Sequence, residues 1–218
     1  MKTLLLLLCC LLLAAGYGRT NVPPEFAARI DVIGASLMRG GRGFLHVREF
    51  AETDRLFDAI PEGAGRRAAA LAFGDMLLAL DLGGLSYLFK EGTVPLYLQY
   101  LDQSLYLMNR GGIAPGAAMD CYFKGLSKFR AVCLGVPTDG QRAGESRREF
   151  LDRRTCAHKL KEDYKLALSI FRRFWLPDLS RYFPPEYHDE FRRRLKAFEL
   201  PEASAAPDAP SSRATSKP

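Results

Sequence analysis

Apolar residues return every three or four positions through most of this chain, the spacing of helices that bury one face. Phe26, Ile30, Ile33 and Leu37 form the first such stripe, and Pro23-Pro24 ahead of it suits a helix start. A second, short helix is predicted from Val47 to Ile60, carrying Phe50, Leu56 and Phe57 and stopping at Pro61-Glu62-Gly63. Arg66 to Phe89 is apolar on nearly all sides and is expected as the central helix, with Gly83-Gly84 as a kink or close-packing point. Leu96 to Met108 follows, with Tyr97, Leu101, Leu105 and Met108 on one face and Gly111-Gly112 at its end. The next helix runs from about Gly116 to Leu134, striped by Met119, Tyr122, Phe123, Leu126, Phe129 and Cys133. A polar loop, VPTDGQRAGES, leads to a long helix over about Glu145 to Leu176, with Cys156, Leu160, Tyr164, Ala167, Phe171 and Trp175 at near-helical steps. Pro177 stops it, and a last helix spans Pro185 to Phe198.

No run of alternating β-branched residues interrupts this pattern. The predicted fold class is all-α: one globular domain of six to seven helices, packed as an orthogonal or antiparallel bundle over residues 19–198 and carrying one disulfide. The two ends differ from it. Lys2, the apolar run Leu4 to Leu13 and the small residues of Ala14-Ala15-Gly16-Tyr17-Gly18 have the layout of a secretory signal peptide over residues 1–18. That run is well short of the ~20 apolar residues a membrane span needs, so cleavage and a secreted or lumenal mature chain are expected. Residues 199–218 are rich in Ala, Pro and Ser and read as a disordered tail.

Secretion changes how the cysteines are read. Cys9 and Cys10 leave with the signal, and Cys121, Cys133 and Cys156 remain in a compartment that favours pairing. Cys121 and Cys133 on one helix would stand about 18 Å apart, beyond bridging distance unless Gly125 breaks the helix. If the two long helices form a hairpin about the 135–144 loop, Cys121 and Cys156 lie at matching depth. The expected bridge is therefore Cys121–Cys156, with Cys133 free and buried.

Signatures of catalysis and of metal binding are missing. No G-x-S-x-G, H-E-x-x-H, Walker-type loop or EF-hand loop occurs. His46, His158 and His188 are scattered, and Cys156 and His158, two positions apart, point to different helix faces. Acidic neighbours such as Glu162-Asp163 and Asp189-Glu190 diverge by about 100° on a helix and build no acid/base pair alone. No catalytic residue, metal ligand or cofactor is nominated. MRGGRGFLH, residues 38 to 46, resembles one unit of an RNA-binding tract, but it does not repeat and lies between two amphipathic helices. Its glycines read as a helix-ending hinge, and nucleic acid is not the expected partner.

Charge is the informative signal. Residues 19–144 carry 14 Lys/Arg against 13 Asp/Glu, whereas residues 145–198 carry 14 against 9. Lys161, Lys165 and Arg172 fall on one face of the long helix; Arg173, Arg192, Arg193 and Arg194 extend the basic set, and aromatics are interleaved among them. The reading is a secreted, non-enzymatic binding protein that presents this basic, aromatic helical surface to an acidic extracellular protein, a sulfated glycan or an anionic surface. Two alternatives remain open. One is an extracellular carrier of a lipid or other apolar small molecule, with Tyr97, Tyr100, Tyr106 and Tyr122 as polar handles in a cavity. The other is a helical enzyme of unrecognised type.

Overall fold

The aromatic stripes meet in one interior. The computed structural model describes residues 21–38, 47–80, 93–136, 140–174 and 176–199. Among these, seven α-helices and no strand are found: α1 (Pro24–Met38), α2 (Val47–Asp58), α3 (Ala64–Ala79), α4 (Thr93–Arg110), α5 (Pro115–Leu134), α6 (Arg147–Phe174) and α7 (His188–Lys196). Two 3-10 turns, Leu176–Arg181 and Pro185–Tyr187, join α6 to α7. The signal segment 1–18, the Gly-Arg hinge at 39–46, Gly83-Gly84, Trp175 and the tail beyond Glu199 lie outside the described residues.

Local chemistry sets the helix ends. Ser146 and Glu149 form a reciprocal cap: the Glu149 N–H donates to Ser146 Oγ at 3.2 Å and the Ser146 N–H to Glu149 Oε2 at 2.8 Å. At the far end of α4, Gly112 takes φ +68, which lets Ile113 N–H reach Met108 O at 3.0 Å and Gly112 N–H reach Asn109 O at 3.1 Å. The helix expected to reach Phe89 ends at Ala79 instead. Lys128 Nζ, on α5, donates to the carbonyls of Leu78 and Leu80 and so closes that end with a cation.

The centre of the bundle is α4, not the Arg66–Phe89 segment. From Leu96 to Met108 almost every α4 side chain is buried, including Asp102, Gln103 and Ser104. Helix α2 stacks Phe50 on Tyr100, α3 brings Phe73 to Tyr100, and α5 stacks Phe129 on Tyr97. Helix α6 adds Tyr164 against Phe129, and the 176–187 segment brings Tyr182 against Tyr106. Helix α7 sits on α5 through Phe191, which touches Tyr122 and Phe123. Glycines permit the closest crossings. A Cβ at Gly125 would lie 2.5 Å from Leu101 Cδ1, and one at Gly74 would lie 2.2 Å from Met108 Cε.

The expected disulfide does not form: no bridge joins any two of Cys121, Cys133 and Cys156. The hairpin exists, but its register differs from the one assumed. The Phe129–Tyr164 ring pair at 5.6 Å places Cys121, two turns earlier on α5, opposite the Arg172 end of α6. Cys156 is then about 24 Å away along the helix. Helix α5 runs unbroken through Gly125, so Cys121 and Cys133 cannot meet either.

Candidate functional site

The basic segment divides into residues engaged within their own helix and residues engaged with distant chain. Lys165 pairs with Glu162 at 2.7 Å and Arg192 with Asp189 at 3.1 Å, while Arg193 pairs with Glu190, each three residues apart. Lys161 is exposed beside Glu162, and Arg173 is exposed near the end of α6. Arg194 turns inward. It reaches Asp120 at 2.9 Å and lies 4.5 Å from the centre of the Phe123 ring. Arg172 pairs with Glu199, a residue assigned to the tail by its composition. Of the described aromatics of this segment, Tyr164, Tyr182, Phe183 and Phe191 are core residues, whereas Phe150, Tyr187 and Phe198 are partly exposed.

The turn at 197–199 joins the two basic groups. Tyr164 Oη donates to Phe198 O at 2.9 Å, and Arg130 Nη1 donates to Ala197 O at 3.0 Å. Arg130 also lies over the Phe198 ring, and that ring stacks on Phe123 at 5.6 Å. The end of α7 is thereby fixed on the side of α6 that carries Arg172. Arg130 lies on α5 outside its apolar stripe, and nothing in its spacing marks it for this surface.

A polar cleft of about 700 Å³ lies between the 142–145 loop and the first turns of α6, lined by Arg142, Glu145, Glu149, Asp152, Arg153 and Cys156. Its wall is held by a two-pronged ion pair: Arg153 Nε and Nη2 donate to Glu145 Oε1 and Oε2 at 2.8 and 2.9 Å, and Nη2 also meets Gly140 O at 2.8 Å. The Arg153 guanidinium and the Arg142 N–H pull the Glu145 carboxyl down to about 2. This chemistry locks a loop onto a helix.

Burial governs the titration of Asp102 and of the three thiols. Asp102 is 4% exposed and accepts a hydrogen bond from Tyr122 Oη at 3.2 Å. Burial raises its carboxyl well above the usual range, and the Tyr122 bond offsets only part of that. The thiols are moved the same way: burial and then Asp75 push Cys121 up to about 11, burial raises Cys133 further, and burial raises Cys156 against the pull of Lys159. A thiol raised in this manner is a poor nucleophile near neutral pH. No group of three or more His, Cys, Asp or Glu side chains able to hold a metal ion occurs among the described residues. None of the described helices is long and apolar enough to cross a membrane. Comparison with protein families, with curated proteins and with solved structures returns no match.

Proposed function

We propose that this chain is a secreted, non-catalytic binding protein whose basic surface on α6 and the end of α7 holds a linear polyanion, such as a sulfated glycan. The observation that carries this reading is the line of exposed cations Lys161, Lys165 and Arg172 along one side of a single helix. They span about 16 Å at helical rise. Their pairs with Glu162 and Glu199 are exposed, and such pairs contribute about 0–1 kcal/mol, so an incoming anion can exchange with them. Protein partners are usually gripped by aromatic anchors. The large apolar side chains exposed among the described residues are Val32, Leu71, Leu151 and Leu166, none of them aromatic. Among the described residues, charge rather than an exposed aromatic anchor is what this face offers.

Heparin affinity chromatography tests the reading. The native chain should be retained at physiological ionic strength, and Lys161→Glu with Lys165→Glu should elute at clearly lower salt. The charge-matched pair Arg55→Glu with Arg142→Glu, placed elsewhere, should elute close to the native chain. Flow-through of the native protein, or equal shifts for both pairs, would overturn it.

A further inference from the structure

We infer that Arg172 is a contact point for one sulfate group of that glycan, and that the chain's own Glu199 occupies this point in the free protein. The inference rests on the polyanion reading and adds a position and a built-in competitor to it. Most exposed pairs of the basic segment, Glu162–Lys165, Asp189–Arg192 and Glu190–Arg193, are helical neighbours whose meeting follows from a three-residue spacing. The Arg172–Glu199 pair joins residues far apart in sequence and is half exposed on both sides. The turn that delivers Glu199 is fixed by other means: Tyr164 Oη on Phe198 O, Arg130 Nη1 on Ala197 O, and the Phe198 ring on Phe123. The Glu199 carboxylate is thus presented to Arg172 and is not required to hold the turn. Arg130 grips the same three-residue turn from α5 through Ala197 O and the Phe198 ring, so Arg172 is the guanidinium shown on this carboxylate. Arginine forks suit planar carboxylate and tetrahedral sulfate oxygens alike, so the internal carboxylate marks where a partner's sulfate can sit.

Displacing Glu199 breaks one exposed ion pair, which costs a ligand only a small part of its binding energy. The test is a titration of the full chain with a size-defined heparin octasaccharide, read by calorimetry. Glu199→Gln should bind about two- to fivefold more tightly than the native chain. Glu52→Gln, which removes one carboxylate from α2, should change affinity by much less. Arg172→Gln should bind more weakly, and adding Glu199→Gln to it should bring no further gain, since the two effects are coupled. Equal gains for Glu199→Gln and Glu52→Gln, or no gain for either, would overturn the placeholder while leaving the polyanion reading intact. Absence of binding by the native chain and by every variant would overturn the polyanion reading itself. Thermal unfolding of each variant confirms that the fold is retained.

Discussion

Replacing Asp102 by Asn should change how stability depends on pH, with a slope that can be stated in advance. Asp102 is buried at the centre of α4, and its carboxyl is raised by burial well above its unfolded value. Between the unfolded value of about 3.9 and the raised folded value, the native chain holds a proton that the unfolded chain has released. Stability from this group is therefore fully present below the ordinary carboxyl range and declines as pH rises through that window. The decline is about 1.4 kcal/mol per pH unit for one proton. Asn keeps the shape and an oxygen for Tyr122 but does not titrate. Its extra N–H groups add an offset that is the same at every pH, and all other titrating groups are shared and cancel in the comparison. Urea unfolding of both chains, stepped upward from about pH 4.5, should show the stability difference moving in favour of Asp102→Asn by about 1.4 kcal/mol per pH unit until the native carboxyl ionises. Parallel profiles, or a drift in favour of the native chain, would refute the reasoning.

Gly125→Ala should lower stability by about 1–2 kcal/mol, because overpacking against the fully buried Leu101 exceeds the helix-propensity gain; a raised melting temperature would contradict this. Peptide mapping without reduction should find no disulfide-linked peptide among Cys121, Cys133 and Cys156, with Cys156 alkylated first, Cys121 more slowly and Cys133 only on unfolding; a Cys121–Cys156 cross-linked peptide would count against the helix register. Glu145→Gln should release the 140–146 loop, and trypsin should then cut after Arg142 roughly tenfold faster, whereas an unchanged rate would show that the loop is held by other means.

Helical periodicity was legible because a stripe of large side chains needs no knowledge of its partner. Phe26, Ile30 and Ile33, or Tyr122, Leu126 and Phe129, are buried where their spacing places them. The central position of α4 was not legible. Asp102-Gln103-Ser104 has the look of a solvent-facing patch, and only tertiary partners explain its burial: Tyr122 for Asp102, Asp54 and the Phe50 carbonyl for Gln103, and the Leu101 carbonyl for Ser104. The disulfide expectation failed because equal distance from a loop fixes a register only if the helices start at the loop's two ends and stay level. Here the Phe129–Tyr164 pair offsets them. Of the basic surface, the helix face of Lys161, Lys165 and Arg172 was readable from spacing. The contributions of Arg130 and Glu199 depend on where α7 ends, which periodicity does not encode.

The glycine crossings described above have a consequence for how this chain can vary. Gly125 faces Leu101, Gly74 faces Met108, and Gly111 faces Ala70, each at a separation that leaves no room for a methyl group. These pairs work as keys cut to opposite depths on neighbouring helices: sliding one helix by a turn would set bulk against bulk. A larger residue at one member is then tolerable only with a smaller one opposite, so Gly125→Ala should be partly rescued by Leu101→Val, although each change alone destabilises. With no disulfide among the described residues, helix register is held by pairwise steric matching, and the units in which this core can change are pairs of positions.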